Sequence, residues 1–364
     1  MRSTKQWWWT SMRRPGRATS TGSILRHERI DRTNCSGEGA PMSQESAVNF
    51  YRRNYRCVRA FLLEDDAPKK IVLEDTIGKR CRFCGGSAPD VSFRLEAHAI
   101  PESLGNRALV SRYECDTCNS FFGSTIENDF GNWSKPMRTF ARRQGKKGVP
   151  AHKGGGETGW RLEHDAKLDR FLINAGGDER NWPFTASADH RTVDFNLKCD
   201  PYVPMGVLKT FVKMGLSILP ESELPNFCAA RAWIRNSVHQ EDVPILAPTL
   251  VTFTPERTEA IRIGVLCRKP DAPDPVPYAF LLLSYGYESF QVILPSPERD
   301  PRFEDANPCA IPPFPPPGPG RSSYAPEVLE LRDTEIVRDA AGHVRYEFGA
   351  VEIHDLGSAR RSHE

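Results

Sequence analysis

The sequence predicts an α+β chain in two parts, a small cysteine-paired unit in the first half and a mixed α+β domain with an antiparallel sheet in the second. Three observations carry this. Cys81-Arg-Phe-Cys84 and Cys115-Asp-Thr-Cys118 are two CxxC pairs with thirty residues between them. Apolar residues at Met205, Leu208, Phe211, Val212, Leu216 and Leu219 recur at helical spacing, started by Pro204 and stopped by Pro220. The runs TLVTFTP, AIRIGVLCR, YAFLLLSYG and SFQVILP are β-rich and punctuated by Gly, Pro and Asp, which favours antiparallel strands.

Composition sets the outer limits. The 364 residues are 39% hydrophobic and 26% charged, enough for two domains with tails. With 30 Pro and 27 Gly, part of the chain must be linker. No stretch of about 18 consecutive apolar residues occurs, so a membrane-spanning helix is excluded, and the N-terminus lacks the apolar core of a secretory signal. Ten cysteines are too dilute for an exported disulfide scaffold, and the chain reads as cytoplasmic. The net charge of +2 is unevenly spread: residues 1–200 hold 33 Lys and Arg against 25 Asp and Glu, residues 201–364 hold 16 against 22. A basic first half suits a polyanionic partner such as nucleic acid, and also suits a plain solvated surface.

Residues 1–41 are rich in Arg, Ser, Thr and Gly, with Trp7-Trp8-Trp9 the one apolar cluster, and read as a disordered tail or a mis-assigned start ahead of Met42. Residues 42–78 are a helical lead-in: a short helix lies within 43–63, capped by Ser43 and running over 46–58, and the segment carries Arg52, Arg53, Arg56 and Arg59, followed by a short strand at Ile71 to Asp75. Residues 79–133 hold the cysteine pairs. Residues 134–200 are a basic loop followed by strands at Arg170 to Asn174 and Thr192 to Leu197. Residues 201–294 form the α+β C-terminal domain, with a second short helix at Ala229 to Arg235. Residues 295–325 are a Pro-rich linker, extended and semi-rigid, and 326–364 are a C-terminal strand and tail, with one strand or hairpin at 344–355.

Two CxxC pairs can give a divalent zinc four tetrahedral thiolates, each pair on a tight turn, and Gly85-Gly86 lets the backbone bend after the first pair; the alternative is two buried redox disulfides or four unrelated cysteines, and the spacing favours zinc. Such a site is closed, hence structural. The other six cysteines show no metal spacing and read as core or surface thiols. Between the pairs, Val91 to Ala99 alternates as a strand would, and after the second pair Phe122, Ile126 and Phe130 lie on one apolar helix face. The order is knuckle, strand with His98, return segment, knuckle, helix opened by Asn119.

These residues, CRFCGG…FRLEAHAIPESLGNRALVSRYECDTCNSFFGSTIEND, resemble the zinc-stabilised HNH endonucleases, a branch of the His-Me finger (ββα-metal) nucleases. The wording AHAIPESLGN…ECDTCN…IEN is similar to one bacterial HNH subfamily. The resemblance covers 79–133 and implies a treble-clef-like ββα-metal zinc domain that cleaves nucleic acid, DNA by family habit. It implies that His98 is the general base, that Asn119 binds a catalytic divalent cation (magnesium or manganese), and that Asn106 braces the loop that orients the histidine. Two positions depart from the family pattern. Ala97 stands where Asp often precedes the histidine, and Gly123 stands where a second metal residue is usual. Glu127 is then the nearest acid on the helix, although eight residues turn it roughly 80° from Asn119.

Each residue has a plainer role open to it. Asn119 caps its helix, Asn106 after Gly105 is a turn residue, and Glu127 is a solvated helix acid. Lys135, Arg138, Arg142, Arg143, Lys146 and Lys147 form a basic stretch free of acids, a backbone clamp for nucleic acid or an ordinary basic loop. The rival to a nuclease is a zinc-bearing nucleic-acid-binding module that lost its cation site. A third reading makes the zinc unit a protein-interaction knuckle.

Overall fold

The computed structural model of the chain describes residues 4–10, 18–19, 44–64, 69–76, 78–154, 159–176, 179–240, 243, 245–300, 311–314, 326–347 and 350–356. In chain order the elements are β1 (Thr4–Thr10), β2 (Ala18–Thr19), α1 (Gln44–Asn54), β3 (Tyr55–Leu63), β4 (Ile71–Leu73), β5 (Ala97–His98) and β6 (Leu109–Ser111). Then come α2 (Asp116–Ser124), α3 (Ile126–Trp133), α4 (Lys135–Phe140), β7 (His152–Gly154), β8 (Trp160–Asp165), β9 (Arg170–Ala175), β10 (Phe184–Ala186) and β11 (Thr192–Lys198). The second half holds α5 (Pro204–Ile218), α6 (Cys228–Ile234), β12 (Thr249–Arg268), β13 (Ala279–Leu294), β14 (Glu327–Leu329), β15 (Ala341–Glu347) and β16 (Ala350–Leu356). The fold is mixed α+β, and apart from the parallel β4–β6 pair the described strand pairs are antiparallel.

The β12–β13 ribbon is the largest pairing. It takes the four β-rich runs as two long strands, with register shifts between Phe253, Thr258 and Arg262. The helix expected to continue over 46–58 ends at Asn54, whose Nδ2 donates to the Phe50 carbonyl at 3.1 Å. From Tyr55 the chain becomes β3 and pairs with Ile261–Arg268 of β12. Tertiary pairing of an apolar, aromatic run overrides the helical start. The strand expected over 91–99 shrinks to Ala97–His98, because the Asp116 carboxylate takes the backbone N–H groups of Arg94 (2.9 Å) and Leu95 (2.8 Å). The amphipathic stretch after Asn119 breaks at Thr125 into α2 and α3. Part of the expected basic loop is α4, opened by Pro136 in its first turn.

Three further expectations change. Within 1–41, Thr4–Thr10 forms β1 between β16 and β9, and Ala18–Thr19 pairs with β15; the rest of the expected tail lies outside the described residues. The late hairpin is two strands in different sheets, β15 beside β11 and β16 beside β1. Of the Pro-rich linker, residues 311–314 pack on α1: the Tyr51 hydroxyl donates to the Pro312 carbonyl, and Phe314 meets the Tyr51 ring edge-on at 4.9 Å. The remainder from 301 to 325 lies outside the described residues.

Helix α5 positions the site. Its N-terminal end is fixed by the Asp129 carboxylate, which accepts from the Val203 N–H at 3.1 Å; a Cβ on Gly206 would stand 2.2 Å from that carboxylate, so only glycine permits the approach. Thr210 donates to the Ile126 carbonyl at 2.6 Å. At the C-terminal end Arg82, inside the first CxxC pair, donates to the Leu216, Ser217 and Leu219 carbonyls at 2.9, 3.1 and 2.9 Å. It satisfies carbonyls that a helix end leaves open. Phe130, Trp133, Phe211 and Phe290 interlock edge to face, so the cysteine unit and the C-terminal ribbon share one core.

Candidate functional site

The two CxxC pairs converge. The sulfurs of Cys81, Cys84, Cys115 and Cys118 all lie within 4.8 Å of one another, and those of Cys84 and Cys115 are 3.7 Å apart. A tetrahedral shell with Zn–S near 2.3 Å has sulfurs about 3.8 Å apart, so the donor set fits zinc and could hold it. Backbone N–H groups already point at the sulfurs, Gly86 to Cys84 at 3.4 Å and Cys115 to Cys81 at 3.5 Å. Such contacts favour the thiolate form. A hydrogen bond from Cys118 drops the Cys81 thiol to about 4 and raises that of Cys118. Phe83 and Phe122 pack edge to face at 5.0 Å, joining the first pair to the helix that carries the second.

His98 ends β5, opposite Val110 of β6. Its side chain is 20% exposed, and its Nε2 lies 3.7 Å from Glu96 Oε1, an ion-pair distance too long for a hydrogen bond. Burial lowers its pKa from the ordinary 6.5, against the upward pull of Glu102, Glu96 and Glu127. The shift favours the neutral imidazole, the form a general base requires. The Glu96 carboxylate also pairs with Lys70 on the surface.

Asn106 is 1% exposed and fully used. Its Nδ2 donates to the Ile100 and Leu109 carbonyls, both at 2.9 Å, and its Oδ1 accepts from the N–H groups of Ala108 at 3.2 Å and Leu109 at 2.8 Å. Gly105, at φ 90°, supplies the left-handed turn before it. Asn106 thus fixes the loop that returns the chain from β5 to β6.

The cation pair expected from the sequence does not assemble. Glu127 Oε1 pairs with the Lys213 ammonium at 2.9 Å, and Lys213 also lies 3.3 Å from Glu114. Asn119 faces the Glu96 carbonyl through its Nδ2 at 3.5 Å. Ala97 is buried, and Gly123 faces open space with no side chain to offer. Asn119 and Glu127 therefore do not fit a shared divalent ion in this arrangement.

The basic stretch divides in two. Arg138 is buried and donates to Ser134 Oγ (3.0 Å) and the Ser103 (3.1 Å) and Gly131 (2.6 Å) carbonyls. Arg143 is 1% exposed and donates to the Thr258 carbonyl at 2.9 Å. Arg142 pairs with Asp169 at 2.6 Å over the Phe171 ring, and Lys135 pairs with Asp200 at 2.8 Å. A run of cations in sequence is thus mostly internal bracing, because α4 turns Arg138 inward and the chain after it buries Arg143. Lys146 and Lys147 stand exposed on the Gly145–Gly148 turn. They line a cleft of about 700 Å³ together with Glu102, Gly123 and Glu127.

Sequence reasoning missed Glu96, Glu114, Lys213 and Arg82. Glu96 stands two residues before His98, the spacing that puts side chains on one face of a strand. Lys213 had a signal too, a lysine set inside a helix apolar on every side.

Residues 81–134, which contain the sulfur cluster, β5, β6, α2 and α3, match the family described as HNH endonuclease. The match supports a nuclease-type function at family level. No curated protein and no solved structure matches the chain. Among the described residues no helix is long and apolar enough to cross a membrane.

Proposed function

We propose that the chain is an endonuclease that hydrolyses phosphodiester bonds of nucleic acid, DNA by preference, with His98 as general base. The observation that carries this is the half-buried His98 at the end of a strand beside a four-sulfur cluster, within a segment that matches a nuclease family. His98 accepts a proton from water, and the hydroxide oxygen bonds to phosphorus. The bond to the leaving oxygen breaks, and that oxygen takes up a proton from solvent. Cys81, Cys84, Cys115 and Cys118 would hold zinc; a closed sulfur shell supplies structure and no open position for chemistry. No step is assigned to a catalytic cation, because Glu127 is held by Lys213. Lys146 and Lys147 are the proposed phosphate contacts, adding affinity without sequence choice.

A second reading is a zinc-bearing module that binds nucleic acid without cutting it. The Lys213–Glu127 pair favours it, because that pair engages the helix acid expected to hold a cation.

The test is the full chain on supercoiled plasmid with magnesium, manganese or EDTA, beside a His98→Ala variant that keeps its zinc. Nicking that disappears in the variant supports the nuclease with His98 as base. Binding without nicking supports the second reading. Nicking that survives His98→Ala sinks the assignment of the base, and the EDTA arm decides cation dependence.

A further inference from the structure

Strand β5 is two residues long, with Ala97 opposite Ser111 and His98 opposite Val110. So short a strand holds its backbone weakly by pairing alone. Two side chains clamp its C-terminal end and the residues just past it. Asn106, from within the nuclease-family segment, takes the Ile100 carbonyl. The other clamp comes from far away: Lys213 Nζ, on α5, donates to the His98 carbonyl at 2.9 Å across 115 residues of sequence. Its side chain is 1% exposed, and it sits between Glu114, fully buried, and Glu127. It also lies 5.7 Å over the Phe122 ring, beside the sulfur cluster. An ammonium buried this deeply is stable only if paired, and here one cation serves two acids and one carbonyl.

We propose that Lys213 is the positioning residue for His98: its ammonium fixes the end of β5 from outside the segment of 81–134, so that the nuclease unit is complete only when α5 is docked on it. Lys213 touches no substrate and acts through the His98 backbone. The docking that delivers it is built from the same segment, with Asp129 at one end of α5 and Arg82 with Tyr113 at the other. The activity arm of the test rests on the nuclease reading, and the exchange arm does not.

Lys213→Met alone strands the buried Glu114 carboxylate and the partly buried Glu127 and is expected to fail to fold, so the test uses charge-matched variants of the full chain. The first is Glu114→Gln, which keeps the Lys213–Glu127 pair; the second is Glu114→Gln with Glu127→Gln and Lys213→Met, so that neither carries a net charge at the site. Both are checked for zinc content and melting. Hydrogen exchange is then read on peptides covering 95–101 and 207–218, and plasmid nicking is measured alongside. The expected result is that the triple variant loses protection at 95–101 by tenfold or more relative to the single variant, while 207–218 stays protected, and that its nicking rate falls at least tenfold below that of the single variant. Equal exchange at 95–101 in the two variants overturns the proposal, as does equal loss across both peptides, which would mean a merely structural lysine. If the unaltered chain does not nick, the nuclease reading has failed, and the exchange comparison alone decides the role of Lys213.

Discussion

His98 is held from two sides, and the two sides differ in kind. On one, four sulfurs contributed by residues 81–118 gather through short-range spacing, two turns and a donor set with one obvious purpose. On the other, α5 brings Lys213 to the His98 carbonyl, Arg82 reaches back to the end of α5, and Tyr113 donates to the Ser217 carbonyl. The sulfur side is a local device that could be recognised in an isolated fragment. The α5 side exists only once distant parts of the chain have packed. The segment that matches the nuclease family thus shares its core with the rest of the chain.

The largest expected effect lies on the sulfur side. Replacing Cys115 by Ser opens the shell, and structural zinc is worth about 10–16 kcal/mol in small zinc folds. The variant is expected to lose stoichiometric zinc by elemental analysis, together with the cooperative melting of the first half. A chain that keeps its melting midpoint without zinc would show that α5, not the sulfurs, holds the unit.

Next is the loop clamp. Asn106→Ala removes the partner of the Ile100 carbonyl and of the Ala108 and Leu109 N–H groups, while the Leu109 carbonyl keeps the Ala99 N–H. Buried groups left this way cost about 1–3 kcal/mol each, so a loss of about 3 kcal/mol or more is expected in urea unfolding. A loss within ~0.5 kcal/mol, the range of surface changes, would mean that the loop is held by other contacts.

The sulfur side was legible because CxxC spacing is a local constraint, and the same spacing frames His98 and Asn106 as candidates between the pairs. Lys213 was not, because no spacing rule links residues 115 apart. The apolar period of its helix marked a core element without showing what a lysine inside it would meet. The same blindness misread Tyr55–Leu63, whose strand character is conferred by β12, and the stretch before Ala97, whose N–H groups Asp116 takes. The basic stretch failed for a related reason: composition counts cations without showing which of them turn inward.

That division gives a smaller, cleaner contrast. Lys146→Ala and Lys147→Ala should leave stability within ~0.5 kcal/mol and each lower the salt slope of DNA binding by about 1. Arg143→Ala should do the reverse, costing about 1–3 kcal/mol through the unsatisfied Thr258 carbonyl with an unchanged slope in fluorescence titrations. Equal slopes in all three variants would remove the exposed turn from the proposed interface.

The subtlest effect is in pH. Burial lowers the His98 pKa below the ordinary 6.5, so the neutral base persists into more acidic solution than a free imidazole would. The acid limb of the nicking rate should have its midpoint below 6.5, with the rate lost as pH falls through the lowered value. In the same interval, protonation of His98 favours the unfolded chain, so its contribution to stability is present above 6.5 and is lost as pH falls. A limb centred above 6.5 would assign the titration to another group or show that the carboxylates outweigh burial.

The most direct measurement is chemical rescue at position 98. The full chain, His98→Gly, and His98→Gly with added imidazole are compared on supercoiled plasmid at one zinc content. The account predicts that the variant nicks about 10²–10⁴ times more slowly and that imidazole restores a saturable part of the rate. A variant as fast as the unaltered chain, or one that imidazole leaves inert while zinc and fold are intact, would contradict His98 as the base.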